Sequence, residues 1–439
     1  MLNYRTLWRW HFYAGLFCIP FVVLLALTGA VYLFKPQLET LADRDVQGLQ
    51  LAGQPASARR QVEAALAAVP GARLQAYELP RAPDAGVRVH VLDRAGERTI
   101  VYVHPKTAAV LKTVDPDTRI AEFVKTIHGE LFLGKGGSLL VELAASWAIV
   151  MVLTGLILWW PRDAAGLAGV LYPRFGRGAR VAWRDLHAVV GAWVSLLALF
   201  LLLTALPWTE VWGDALKWAR SAAAPQAVVQ DWSAGRADEH AQHRREAAQA
   251  GDGGIATAVS LDDVVARVAP LQLAPPVLVQ PPRPGADRWT VKAESQNRPL
   301  RATLEIDAYT GETLRFEPFR DRPLLDRAIG IGIAAHEGQL FGLANQLLGL
   351  LTAAGLVTLC VSGVVMWWRR RPEGVLGAPA PPELPARVGA GVTALIVALG
   401  LLLPLLGLSL LLVALADRAL PVAAPRVGAW LGLRRQLRS

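Results

Sequence analysis

Five apolar stretches decide most of what this chain is able to become. They cover residues 12–34, 139–160, 188–208, 341–368 and 388–416, and each exceeds the roughly 18–20 apolar residues that cross a hydrocarbon core. Lipid offers the backbone no hydrogen bonds, so runs of this length predict helices. Only the second run carries a charge, Glu142, near its start. The first is too long for a secretory signal core and has no polar break after Gly29 and Ala30, so it reads as retained. The fifth holds Pro404 midway and reads as one tilted or kinked span. The chain is 53% hydrophobic, too apolar for an ordinary soluble protein and too polar for a wholly embedded one. Spans alternating with polar domains fit both facts.

Arginine sets the expected orientation. Arg5 and Arg9 precede the first run. Arg162, Arg174, Arg177, Arg180 and Arg184 fill the loop between the second and third, and Arg369, Arg370, Arg371 and Arg387 follow the fourth. These short basic segments predict a multi-pass protein with a cytoplasmic N-terminus and two long loops outside. Arg434, Arg435 and Arg438 disagree with a fifth full crossing. Either they tolerate translocation, or the fifth run is a re-entrant hairpin that returns them inside. The net charge of +9 concentrates at membrane flanks, which points to anionic lipid headgroups and not to nucleic acid. Cys18 and Cys360 fall inside spans and read as packing residues.

The chain repeats itself. His11, Gly15 and Thr28 match His187, Gly191 and Thr204 at one offset. His128, Gly155, Trp159 and Trp160 match His336, Gly363, Trp367 and Trp368 at another. Spans one and two thus form a unit that spans three and four repeat in parallel, about an axis along the membrane normal. The outer loops repeat too. In the first, an amphipathic helix over 57–69 precedes strands at 73–79, 87–92 and 99–103 and a turn from Val103 to Thr107. In the second, a helix at 261–268 precedes strands at 276–279, 288–291 and 303–306 and a turn from Ile306 to Gly311. Two small α+β domains follow, over 35–127 and 213–335, with an insertion at about 214–254 in the second. The intervening segments are 1–34, 128–162, 163–186, 187–212, 336–371 and 372–387, with the C-terminal span at 388–416 and a tail over 417–439. The fold class is a membrane α-helical bundle of four core spans as two parallel repeats, one further C-terminal span, and two outer α+β domains.

Four of the eight histidines stand at repeated positions beside span starts: His11, His128, His187 and His336. One histidine at a membrane boundary is comfortable as an amphipathic ring. Four in register need a user, and haem iron, which takes neutral imidazole axially, fits best. His90 and His104 lie on or beside predicted strands of the outer domains and read as structural residues. His240 and His243 have helical metal-site spacing but sit among charges and read as a solvated face. Gly129 through Lys135 resembles a phosphate loop, yet Gly136 replaces the required hydroxyl residue and no βαβ context surrounds it.

The chain resembles the PepSY-associated transmembrane family, which includes inner-membrane ferric-siderophore reductases. The carrying residues are Trp8-Arg9-Trp10-His11 with Gly15, Thr28-Gly29 and Phe34; His128-Gly129-Glu130-Leu131 with Leu133-Gly134; Thr154-Gly155 with Trp159-Trp160-Pro161-Arg162; and His336 with Ser362-Gly363 and Trp367-Trp368. The resemblance implies periplasmic PepSY-type outer domains, bis-histidine haem b and electron delivery outward. With the repeat, it predicts two haems, His11 with His187 on the inner side and His128 with His336 on the outer. Bis-histidine ligation suits electron transfer. Arg5, Arg9 and Arg184 are candidate partners of the inner haem's carboxylates, or positive-inside markers; Lys125 and Lys135 are weaker outer candidates. Glu142 reads as tuning the outer haem or as a helix-terminal carboxylate. The four tryptophans read as an interfacial belt. The expected function is an oxidoreductase passing electrons from a cytoplasmic flavin or flavoprotein to a periplasmic ferric siderophore. The rivals are an iron or siderophore transporter and a regulatory membrane protein acting through its PepSY-type domains.

Overall fold

Helices whose own backbone bonds are complete are what the apolar runs become. The computed structural model describes residues 4–159, 166–223, 258–283, 285–379 and 390–433. Five of its helices are long and apolar enough to cross a membrane: Tyr4–Tyr32, Gly134–Trp159, Ala179–Trp208, Leu343–Arg370 and Pro404–Ala423. The chain divides into two compact units. One holds residues 1–30, 126–228 and 347–439; the other holds 31–125 and 229–346.

In the first unit the repeat is visible as packing. A side chain grown on Gly15 would meet Met151 at 3.5 Å, and one on Gly191 would meet Leu359 at 3.4 Å. These are equivalent positions in the two halves. Small residues let helix backbones approach where lipid supplies no hydrophobic drive. Glu142 is 2% exposed and is not a cap of its own helix. Its carboxylate accepts the N–H groups of Val211 at 2.8 Å and Trp212 at 3.0 Å, where an anion offsets the positive end of the helix Val211–Ala223. That helix was expected in the second outer domain and instead belongs with the spans. The rest of the expected insertion, with His240 and His243, lies outside the described residues.

The fifth run is not one helix. It forms Ala390–Leu402 and Pro404–Ala423. Proline has no N–H to give and its ring collides with the carbonyl four residues back, so the helix stops at Leu403, which leaves helical geometry. A side chain on Gly407 would lie 2.6 Å from the Gly400 carbonyl, an approach possible only if the chain has reversed. The result is a helical hairpin. Leu403 and Leu406 pack with Ile149 and Leu206, and Trp147 donates to Ser409 at 3.0 Å. After it, the short helix Pro425–Leu431 meets the start of span one. Arg9 donates to the Gly432 carbonyl at 3.2 Å and the Pro379 carbonyl at 2.7 Å, and Tyr13 donates to the Leu431 carbonyl at 2.5 Å. The chain after the hairpin thus returns to the side of Arg9, as the re-entrant alternative required; Arg434, Arg435 and Arg438 themselves lie outside the described residues.

In the second unit the two expected α+β domains are one. Eight antiparallel strands run in the order β4-β3-β2-β1-β5-β6-β7-β8: β1 Arg73–Glu78, β2 Val87–Leu92, β3 Arg98–Val103, β4 Val110–Val114, β5 Val277–Gln280, β6 Arg288–Ala293, β7 Ala302–Asp307 and β8 Thr313–Pro318. Each repeat contributes a four-stranded meander. The first strands of the two meanders pair antiparallel, Tyr77 with Val279 and Glu78 with Leu278, as a local twofold axis dictates. Pairing removes two open edges that a separate domain would have to protect. The helices Ala58–Ala68 and Leu261–Val268 share one core with alternate residues of the sheet, including Val89, Val101, Val279, Val291 and Ile306. The turns match in detail. Asp307 accepts the N–H groups of Tyr309 and Thr310 at 2.9 and 2.8 Å; at the equivalent place the His104 Nδ1 accepts those of Lys106 and Thr107 at 3.1 and 3.3 Å. The structural role expected of His104 is therefore turn capping.

A buried ionic network lies in the first meander. Asp43 meets Arg88 at 2.5 Å and Arg119 at 2.7 Å, and Tyr102 donates to it at 2.9 Å. Glu78 meets Arg81 at 2.7 Å, Arg88 at 3.2 Å and His90 at 3.2 Å. Burial alone would raise the Glu78 carboxyl, but the His90 hydrogen bond and the charges of Arg81 and Arg88 outweigh it and hold it at about 2. A folded value below the unfolded one means stability that is full above the ordinary carboxylate range and is lost as pH falls through about 2. Acid should therefore unfold the sheet unit between the two values, with a loss on the order of 3 kcal/mol from Glu78. Hydrogen exchange across pH should show it, and Glu78→Gln should flatten the dependence. Arg9→Ala should raise exchange in residues 425–433 while leaving the four core spans protected.

Candidate functional site

A serine or threonine hydroxyl on a helix has one proton, and in an apolar setting it goes to the carbonyl one turn back. Thr154 donates to the Val150 carbonyl at 2.8 Å, Ser362 to Thr358 at 2.6 Å and Thr28 to Leu24 at 2.7 Å. Each hydroxyl oxygen is then an acceptor to anything else that approaches. A histidine approaches each one: His11 Nδ1 at 3.0 Å from Thr154, His187 Nδ1 at 3.0 Å from Ser362, and His128 Nδ1 at 2.9 Å from Thr28. His187 Nδ1 also lies 3.1 Å from the Leu359 carbonyl, which only accepts. In all three rings the proton therefore sits on Nδ1, and the lone pair of Nε2 is left over from these bonds. Donating the second nitrogen to a fixed oxygen is how proteins orient an imidazole that binds metal.

Glycine follows each hydroxyl. A side chain on Gly155 would begin 3.2 Å from the His11 Cε1, one on Gly29 3.2 Å from that of His128, and one on Gly363 3.6 Å from that of His187. The ring lies directly on the helix backbone, in a seat a larger residue would fill. The hydroxyl–glycine pairs Thr28-Gly29, Thr154-Gly155 and Ser362-Gly363 are legible in the sequence as repeated dipeptides, but their role as ring seats was not foreseen.

His11 and His187, one from each repeat, come together with ring centroids 6.4 Å apart and planes at 88°. The outer histidines sit on short helices ahead of their spans. His128 lies in Ile120–Glu130, and the chain then turns through Leu131, Phe132 and Gly134, all with positive φ, into span two. His336 closes Leu324–His336, followed by the turn at Gly338 and span four. All four rings are half-buried.

Arg9, Arg184 and Lys125 have partners within the chain. Arg9 holds the C-terminal segment as described and lies 5.3 Å from the Tyr13 ring centre. Arg184 pairs with Asp185 at 3.0 Å, beside Arg174 at 2.7 Å. Arg5 is exposed. Lys125 pairs with Glu122 at 3.2 Å. The belt tryptophans act as fasteners. Trp159 donates to the Val170 carbonyl at 3.1 Å and its repeat mate Trp367 to Leu376 at 2.7 Å, each holding the loop after its own span. Trp160 lies outside the described residues. Among the described residues no three His, Cys, Asp or Glu side chains gather into a cluster able to hold a metal ion.

A family model described as the PepSY-associated TM region matches residues 8–370. No curated protein matches the chain. The match takes in both histidine-bearing repeats and ends before the C-terminal hairpin.

Replacing Thr154 by Val keeps the shape and strands the His11 N–H without its acceptor. The expected cost is about 1–3 kcal/mol, read as a lowered unfolding midpoint in detergent. Thr358→Val, at an exposed hydroxyl bonded to its own helix, should leave the midpoint nearly unchanged.

Proposed function

The chain belongs to the PepSY-associated transmembrane family, and from that premise we propose a haem-bearing electron-transfer protein of the bacterial inner membrane. Its donor is cytoplasmic, a reduced flavin or flavoprotein. Its acceptor is a ferric siderophore on the periplasmic side, from which reduction frees iron as the ferrous ion. Hard oxygen chelators hold the smaller, more highly charged ferric ion more tightly.

One observation carries the reading: the separation of His11 and His187. Two imidazoles bound to one iron, with metal–nitrogen bonds of about 2 Å and about 1 Å from nitrogen to ring centre, stand roughly 6 Å apart. The ring centres here are 6.4 Å apart. Both rings carry their proton on Nδ1 and keep Nε2 for a metal. His11 and His187 would hold such an iron from either side, and a porphyrin would supply its remaining donors. When bound, the haem supplies a one-electron iron couple.

The protein residues do the rest. Thr154 and Ser362 fix ring rotation and tautomer. Gly155 and Gly363 let the rings stand against the helices. A haem held by His11 and His187 would leave dioxygen no open site. The repeat extends the expectation to His128, whose Nδ1 is held in the same way by Thr28, with His336 as its sequence partner.

The purified protein should carry b-type haem in its visible spectrum. His11→Ala and His187→Ala should each remove the same pigment, about half of the total if two haems are bound, and the double variant should lose no more than either single one. A colourless, iron-free preparation from haem-replete cells overturns the reading.

A further inference from the structure

We propose that the helix Val211–Ala223 lies in the plane of the membrane surface where span three ends, with a stripe of Ala215, Trp218, Ala219 and Ala222 turned into the lipid. Its partner is the lipid itself. The helix needs no cofactor for this role, which stands apart from electron transfer.

The residues of this helix sort by direction. At about 100° per residue, Ala215, Trp218, Ala219 and Ala222 follow the i, i+3, i+4, i+7 spacing of a single face. Asp214, Lys217, Arg220 and Ser221 fall outside it. The chain enters the helix by a tight reversal. A side chain on Gly213 would begin 2.7 Å from the Pro207 carbonyl, so the helix does not continue the line of span three. On its inward side Gly213 is buried, and Trp212 packs on the cluster of Ile149, Leu206, Leu403 and Leu406. The stripe looks outward. Trp218 is 73% exposed, with the three alanines exposed beside it. Asp214 and Ser221, exposed as well, mark the flank left to water.

Glu142 sets the depth. Its carboxylate holds the N–H groups of Val211 and Trp212 at 2.8 and 3.0 Å. It stands three residues inside the apolar run that opens at Leu139, about 4–5 Å along the helix axis. The first turn of the helix is therefore pinned at the hydrocarbon boundary, and a face that no protein covers at that depth meets lipid. A carboxylate so placed is costly without donors, and the start of the helix supplies them. Trp218 suits the same level, since an indole has an apolar body and a polar N–H. One apolar stripe with a polar flank is the pattern of helices that lie in the interface, sunk by about 5–10 Å.

The test uses the full-length protein in nanodiscs of phosphatidylcholine and phosphatidylglycerol. Nitroxide labels are attached one at a time through Asp214→Cys, Ala215→Cys, Trp218→Cys, Ala219→Cys, Ser221→Cys and Ala222→Cys. All six positions are exposed, so the fold should accept them, and circular dichroism checks that it does. Cys18 and Cys360 are buried, and protein without an added cysteine is the blank. Oxygen, which concentrates in lipid, and a water-soluble nickel chelate then report the surroundings of each label. The four stripe positions should favour oxygen, and Asp214→Cys and Ser221→Cys should favour nickel. Equal access of nickel to all six puts the helix in water and overturns the proposal. Stripe labels closed to both reagents overturn it as well, because protein then covers the face. Adding Glu142→Gln to the Ala215→Cys protein should raise nickel access at the label; no change removes the carboxylate from its depth-setting role.

Discussion

The proton of a helix hydroxyl has one place to go in an apolar interior, the carbonyl a turn behind it, and the histidine chemistry follows from that constraint. Thr154, Ser362 and Thr28 are each made into acceptors before any ring arrives. The ring that arrives has to donate through Nδ1, so its tautomer is set by a neighbour. The following glycine sets the depth at which the ring rests. A two-residue device, used in both repeats, thereby produces a pair of imidazoles of one protonation state at 6.4 Å.

Duplication shapes both units, with different results. Among the spans it yields equivalent contacts, Gly15 with Met151 and Gly191 with Leu359, and leaves the halves facing each other across the histidines. In the sheet the halves merge, because the first strand of each meander is an open edge and its copy is the natural cover. The first meander also carries a buried ionic network, in which Asp43 and Glu78 both meet Arg88.

Much of this was legible in the residues. Apolar run length placed the spans, and period-two alternation placed strands such as β2 and β6 within a residue or two. The matching histidines announced a paired site. What stayed hidden depended on contacts between distant segments. The joining of β1 to β5 leaves no mark in either strand, since any meander edge reads alike. Strands β4 and β8 were missed; in β8, Leu314 and Phe316 alternate with polar residues, and most of the strand is exposed. Pro404 was visible, but a kink and a reversal differ only in whether Gly400 and Gly407 meet. Arg9 looked like a partner for a cofactor carboxylate, and its bonds to the carbonyls of Pro379 and Gly432 join residues that sequence distance alone would never link.

That clasp has a practical reach. Because the segment ending at Leu433 folds back onto the beginning of span one, the two ends of the described chain emerge from the bundle as near neighbours. Complementary halves of a split fluorescent protein, one appended at each end, would find themselves in the same compartment and close enough to reassemble. Light from a cell would then signal that the hairpin has turned back.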